Sequence, residues 1–202
     1  MKTSPYPSLI PLFFGIFSFT PFTIQAAETF EAQVKTFTMT ISGSSTLHDW
    51  ESQVEKLNVK GALMITDEQQ LINQSFTVAI PVEEIKSPHK KMDKLTYEAL
   101  KSKDYPEITY TLIELKTLEN NHLRALGTLT IAGKSLPFEI EVTLSNEAGE
   151  LFITGNAPIT MTDYMIKPPS LMFGTINVGA VVNIHFELTL TNKLQTKNTN
   201  EN

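Results

Sequence analysis

The segment INVGAVVNIHFELTL, residues 176–190, decides the fold class of this chain of 202 residues. Apolar side chains occupy every second position, and only Val181 interrupts the alternation. A period of two places successive side chains on opposite faces of a strand. One face of this strand is therefore predicted to be buried and the other to be solvated. The apolar positions are Ile176, Val178, Ala180, Val182, Ile184, Phe186, Leu188 and Leu190.

The same alternation recurs along the chain and predicts an antiparallel meander. Ala132-Gly133 and the stretch 146–149 provide turn residues that tolerate positive φ, and such short turns join antiparallel neighbours. The exposed edges of a sheet of about eight strands must be protected. Closure into a barrel protects them, and a two-sheet sandwich is the competing fold. Periodicity alone does not separate these two folds. The other predicted strands are residues 30–41, 57–65, 76–80, 108–112, 123–131, 138–144 and 151–159.

The polar face of these strands is rich in Lys, Glu, Asn and Thr. Such a face suits water and not lipid, whereas an outer-membrane barrel turns its apolar face outward. The pattern therefore favours a water-soluble barrel whose apolar side chains point into its interior.

One short helix is predicted to interrupt the strands. Ser87-Pro88 is typical of a helix start, Met92, Leu95 and Ala99 follow at helical spacing, and Tyr105-Pro106 ends the segment. The segment is basic, and its charge allows two interpretations. It is either a solvated face or a transient contact with an anionic membrane surface. The lysines predicted for that contact are Lys86, Lys90, Lys91 and Lys94.

Residues 1–26 are predicted to be a cleavable signal peptide. Lys2 precedes an apolar, proline-broken stretch, and small residues stand at Ala26-Ala27. Residues 27–191 are then the barrel domain, and 192–202 are a polar flexible tail. The protein is expected to be exported to the periplasm.

Composition excludes several functions. The chain has no Cys and a net charge of −6, which argues against disulfides and against a nucleic-acid partner. The four histidines show no metal-ligand spacing, and no nucleophile-elbow motif occurs, so we predict no metal, no cofactor and no catalytic residue. The oligomeric state is left open.

Two segments stand apart from the strand pattern. Residues 44–50 hold His48, Asp49 and Trp50, which is the single tryptophan. Trp50 either plugs one barrel end while its polar neighbours bond locally, or this segment borders a ligand mouth. Residues 162–174 lose the alternation yet contain Tyr164, Met172 and Phe173, so this loop caps the barrel or borders an opening.

Several stretches together resemble the YceI-like family of exported bacterial proteins. They cover nearly all of the chain after the predicted signal peptide, in order. The stretches are STLHDW at 45–50, MDK at 92–94, LK at 100–101, YPEITY at 105–110, GTLTIAGK at 127–134, MTDY at 161–164, PP at 168–169 and FGTI at 173–176.

The resemblance implies an all-β, eight-stranded, antiparallel, lipocalin-like barrel with one short helix insertion. It also implies that the lumen holds a long isoprenoid chain, a polyprenyl lipid or a quinone-type tail. Alternation and the apolar loop suggest the residues that would touch it. We expect Phe76, Val78, Leu129, Phe138, Ile140, Met172, Phe173, Val182, Ile184 and Phe186 to bind the ligand, with His48, Trp50 and Tyr164 at the mouth.

Two other hypotheses stay open at this point. One is a non-enzymatic envelope stress or interaction protein whose barrel is fully packed and holds no ligand. The other is an enzyme that uses His48 and Asp49 at the barrel mouth. A lumen filled by large side chains would favour the first of these. Substitution of both residues by Ala without loss of any cell phenotype would exclude the second.

Overall fold

Alternating side chains shape this protein, whose computed structural model describes residues 28–31, 33–65, 71–118, 121–171 and 174–191. These residues form an antiparallel sheet of twelve strands and one α-helix. The strands are β1 Glu28–Glu31, β2 Gln33–Ser45, β3 Trp50–Val54, β4 Asn58–Ile65, β5 Leu71–Pro81, β6 Ile85–Lys86, β7 Glu107–Thr117, β8 His122–Ile131, β9 Lys134–Glu147, β10 Glu150–Thr160, β11 Ser170–Leu171 and β12 Ile176–Thr191. The helix is α1 Lys90–Ala99, and short 3-10 turns occupy Val82–Glu84 and Met161–Tyr164.

The sheet curls back on itself. Its strand order is β1-β4-β5-β7-β8-β9-β10-β12-β2-β3-β6, with β11 added beside β12. β1 pairs with β4 and β2 pairs with β12, although a single residue separates β1 from β2. The opening stretch of the domain thus brings β4 close to β12, which lies at the far side of the strand order.

One hydrophobic cluster receives side chains from all eight long strands. Its residues are Val34 and Phe37 of β2, Leu63 of β4, Phe76 of β5, Leu112 of β7, Leu123 and Ala125 of β8, Val142 of β9, Leu151 and Ile153 of β10, and Leu188 and Leu190 of β12. Because these strands belong to one hydrogen-bonded sheet, their apolar faces meet in a common interior only if the sheet curls.

The turns explain why sequential strands become neighbours. Ala132-Gly133 and Ala148-Gly149 have positive φ values of 48°, 80°, 52° and 79°. Two residues with positive φ match the right-handed twist of the strands they join. The predicted turns are therefore confirmed at both hairpins.

The predicted all-β antiparallel fold with one helix is confirmed, but the expected number of strands is not. Eight strands have eight residues or more, and four shorter ones raise the total to twelve. Alternation cannot reveal strands of two to five residues, because so few positions carry no period. The long strands share one hydrogen-bonded order, so the alternative of two separate sheets is wrong.

The helix begins later than predicted. It starts at Lys90 and not beside Ser87-Pro88, and the residue before it, His89, makes no side-chain cap. Ser87 is instead engaged with Asp93, whose carboxylate accepts hydrogen bonds from the Ser87 amide (2.7 Å) and hydroxyl (2.6 Å). The predicted signal peptide (1–26) and tail (192–202) lie outside the described residues and stay predictions.

Candidate functional site

A cavity of about 460 Å³ lies inside the curled sheet. Small-molecule sites in proteins commonly occupy about 300 to 1,000 Å³ and are mostly apolar. Each of the eight long strands contributes to the lining, and most of the lining side chains are apolar. This interior is therefore the candidate site, and we call it the lumen.

Eight of the ten predicted ligand-binding residues line the lumen. They are Phe76, Val78, Leu129, Phe138, Ile140, Val182, Ile184 and Phe186. The other two, Met172 and Phe173, lie outside the described residues. The alternation placed these eight side chains on the inner face, and their contact with a ligand stays a prediction.

Aromatic rings lie directly against glycines on the inner wall. A Cβ at Gly127 would stand 2.5 Å from the ring of Tyr110, and one at Gly155 would stand 2.5 Å from the ring of Phe186. Larger residues at these two glycines would push the rings towards the centre of the lumen. The glycines thus keep the lumen wide enough to hold a molecule.

Tyr110 is a polar side chain on the inner wall of the lumen, and its hydroxyl is hydrogen-bonded. It donates a hydrogen bond to the carbonyl oxygen of Ala125 at 3.0 Å. Burial, with a smaller contribution from the negative charge of Glu139, raises the pKa of Tyr110 to about 12. The ring stays neutral near pH 7, so the inner wall offers an apolar surface at this position.

One end of the lumen is packed. Leu151 and Leu190, both 0% exposed, belong to the same cluster as Leu123 and do not line the cavity. They stand where β10 begins and β12 ends. At the opposite end, where β2 ends and β12 begins, the exposed Leu47 and His48 line the cavity, and we call this the open end.

The segment containing Trp50 lies at that opposite end. The indole covers Gly43, where an added Cβ would stand 2.5 Å from the ring, and its N–H donates to the carbonyl oxygen of Ser44 at 3.2 Å. His48 and Trp50 both line the lumen, whereas Asp49 does not. The His48 Nδ1 lies 2.6 Å from the backbone oxygen of Asp49, so the two side chains form no pair through that nitrogen.

Helix α1 covers the same end with its apolar side. Met92, Leu95 and Ala99 line the lumen, yet no residue of the helix is fully buried. The polar side is tied to the chain that precedes it. The Tyr97 hydroxyl lies 2.9 Å from the Glu83 carbonyl oxygen and 3.0 Å from that of Ile85, and it accepts a hydrogen bond from Lys86 Nζ at 2.9 Å. This last hydrogen bond is the main cause that raises the pKa of Lys86.

The structure does not bring Tyr164 to the lumen. Its side chain is 3% exposed and packs with Leu129, Ile159 and Ile166, and it is not among the lining residues. Met165 follows it with a φ of 59°, and this left-handed residue ends the 3-10 turn. The expectation of Tyr164 at the mouth is corrected: it is a core residue beside the opening, and its burial raises its pKa.

The lumen residues of the helix are absent from the predicted ligand set. Met92 and Leu95 have the predicted helical spacing, and both line the lumen. Their spacing was the available signal, because an amphipathic helix between strands must cover an apolar surface. Which surface it covers depends on long-range packing.

The described residues include neither a metal-binding cluster nor a membrane-spanning helix. Within those ranges, no three His, Asp or Glu side chains come together in a way that could hold a metal ion. No helix in the same part of the chain is long and apolar enough to cross a membrane.

A family model for the YceI-like domain matches residues 18–190. The chain belongs to the YceI-like family. No curated protein sequence matches this YceI-like chain significantly.

Solved structures share the fold of this YceI-like protein. BcnA from Burkholderia cenocepacia superposes with a TM-score of 0.67 at 16% identity, covering 80% of this chain and 100% of BcnA. A polyisoprenoid-binding domain from Saccharophagus degradans, implicated in plant cell wall breakdown, has a TM-score of 0.61 at 11% identity, over 83% and 99% of the two chains. The YCEI protein of Campylobacter jejuni has a TM-score of 0.54 at 15% identity, over 94% and 99%. At sequence identities of 16%, 11% and 15%, the similarity to these structures shows a shared fold alone.

Proposed function

We propose that this YceI-like protein is a periplasmic lipid-binding protein that holds a long isoprenoid chain in its lumen for transport or storage. The observation that carries the proposal is the apolar lumen, packed at one end by Leu151 and Leu190 and lined at the other by α1 and Trp50. The similar Saccharophagus degradans domain is described as polyisoprenoid-binding, which supports the same ligand class here.

Burial of apolar surface is enough to hold such a chain. Each buried methylene contributes about 0.8 kcal/mol, so ten such groups contribute about 8 kcal/mol before ordering costs. That free energy corresponds to micromolar affinity. A ligand of this kind needs no strong polar contact, which agrees with the satisfied hydroxyl of Tyr110.

We also propose that the sheet forms a barrel and that the helix contacts the membrane. The curled sheet acts as a lipocalin-like barrel around the ligand, and α1 makes a transient contact with an anionic membrane surface. Lys90, Lys91 and Lys94 are exposed on this helix, at the open end of the lumen. A membrane contact there would place the opening next to the lipids that supply the ligand.

The other two hypotheses have less support. A packed barrel without ligand requires side chains that fill the interior, and the described residues leave a cavity of about 460 Å³. An enzyme using His48 and Asp49 requires those side chains to act together, but Asp49 does not line the lumen. We therefore propose a binding protein.

The test is extraction of the purified native protein with organic solvent, followed by mass spectrometry, and uptake of decaprenol by the delipidated protein. We expect an isoprenoid in the extract and saturable uptake of one chain per protein. Ile140→Trp, which fills the lumen, should reduce uptake at least about tenfold, because it removes the volume for the chain.

Ile113→Trp is the matched control, since Ile113 is 61% exposed and does not line the lumen. It should take up decaprenol like the native protein. A native protein that carries no lipid and takes up no decaprenol would refute the proposed function.

A further inference from the structure

The ionisable side chains that line the lumen are unevenly distributed. They are His48, His89, Lys91, Tyr110 and Glu187. Tyr110 is neutral, and its hydroxyl is already hydrogen-bonded. Glu187 lies opposite Thr38 in the pairing of β12 with β2, further along β12 than the segment at the open end. The other three can all donate hydrogen bonds, and one of them carries a permanent positive charge near pH 7.

These three side chains lie at the open end. His48 follows β2 and precedes Trp50, which pairs with Gly43 near the end of that strand. Lys86 pairs with Gln53 of β3, and the chain then continues from Lys86 to His89 in the direction of Trp50. The loop after β2 and the start of α1 are thereby brought to the same end of the lumen.

The side chains of His48, His89 and Lys91 make few interactions within the protein. Within the described part of the chain, the side chains of His89 and Lys91 make no hydrogen bond and no ion pair, and His48 uses Nδ1 on a backbone oxygen.

Nearby acidic side chains are either bonded or outside the lining. Asp93 accepts two hydrogen bonds from Ser87, and Glu51 accepts one from Gln53 at 2.6 Å. Asp49 is exposed and does not line the lumen. Among the described residues, the mouth therefore combines a cation and two imidazoles with no carboxylate in its lining.

We infer that the lipid bound in the lumen carries a phosphate monoester head group, held at the mouth by Lys91 with His48 and His89 as hydrogen-bond donors. This inference rests on the proposed function. A chain whose tail lies at the packed end must leave its head group at the open end. A phosphate there has about −1.5 to −2 charges and three acceptor oxygens, which complement a cation and two donors.

The experiment compares two probes with the same tail, geranylgeraniol and geranylgeranyl monophosphate, by isothermal titration calorimetry with the delipidated full-length protein. We expect the phosphate to bind about tenfold tighter than the alcohol at low salt, because charge-assisted hydrogen bonds add to the same apolar contacts. The triple variant Lys91→Gln/His48→Gln/His89→Gln should lose the preference and bind the phosphate and the alcohol with equal affinity.

The control is Lys60→Gln/Lys134→Gln, which removes two lysines that do not line the lumen and should keep the preference for the phosphate. Urea unfolding of each variant confirms that the fold is intact, and Lys91→Gln alone should lose most of the preference. Equal affinity of the native protein for both probes would overturn this inference while the proposed function stands. If neither probe binds, this inference is overturned, and the uptake of decaprenol separately decides the proposed function.

Discussion

At the scale of single residues, Tyr110 shows how the lumen accommodates a polar group. Its ring lies against Gly127, and its hydroxyl donates to the carbonyl oxygen of Ala125. A hydroxyl satisfied by its own sheet costs little to bury, whereas an unsatisfied one would cost about 1 to 3 kcal/mol. The lumen can therefore be apolar in effect although one of its residues is a tyrosine.

Tyr110→Phe tests this account. It removes the hydrogen bond to Ala125 and should lower the free energy of unfolding by about 1 kcal/mol at pH 7. The deficit should shrink as the pH rises from 10 towards 12. In that window the unfolded native chain ionises Tyr110 while the folded state, with its pKa raised to about 12, does not, so the native protein loses stability and the variant does not.

Urea unfolding at several pH values measures both effects. The control is Tyr105→Phe, a change at a ring that is 41% exposed, and it should alter stability by less than about 0.5 kcal/mol. A deficit that stays constant from pH 8 to pH 12 would show that the ionisation of Tyr110 is not linked to unfolding.

At the scale of elements, α1 joins two surfaces of different character. Its apolar side lines the lumen and Lys90 and Lys94 are exposed to solvent, while Tyr97 and Asp93 hold it to the segment before it. Lys86 is tied to Tyr97, so it is less free to meet a membrane than the lysines of the helix itself. In the proposed membrane contact, the helix would lie between the lipid surface and the opening.

Removing charge from α1 should weaken binding to anionic vesicles. Lys90→Gln/Lys94→Gln should lower partitioning into phosphatidylglycerol-containing vesicles by about fivefold per lysine, since each contributes about 1 kcal/mol near such a surface. The Lys94–Glu98 pair, 3.9 Å apart and exposed, costs little to lose. Vesicle co-sedimentation measures the change.

Lys56→Gln/Lys60→Gln, next to and within β4, is the matched control and should bind vesicles like the native protein. Salt at about 0.5 M should abolish the difference between variants, because it screens exposed charges. Equal binding of the native protein to neutral and anionic vesicles would refute the membrane contact.

At the scale of the whole molecule, the interior divides into a packed end and an open lumen. Leu151→Ala at the packed end should cost about 2 to 5 kcal/mol, because it creates a new cavity in a filled core. Ile140→Ala should cost less, since Ile140 already borders empty space.

Chemical denaturation with and without decaprenol measures these costs. Decaprenol at about 100 times its dissociation constant should stabilise the native protein by about 2.7 kcal/mol. Equal costs for the two substitutions without decaprenol would contradict the division of the interior into two regions.

Much of the site could be predicted from local pattern. Phe138 and Ile140 of β9, like Val182, Ile184 and Phe186 of β12, alternate with polar residues, and period-two alternation places them on the inner face wherever the strand lies in the sheet. Tyr164 lacks such a period. Its burial follows from the 3-10 turn and the left-handed Met165, which local pattern did not reveal.

The amino-acid sequence by itself determined the antiparallel strands, the hairpin turns and the inward-facing apolar side chains, because these depend on neighbours within a few residues. Only the tertiary structure decided that the interior is open and not packed, that Leu151 and Leu190 fill one end, and that His48, His89 and Lys91 all line the cavity. Those features depend on how strands distant in sequence curl around a shared volume, and no short stretch of sequence records that volume.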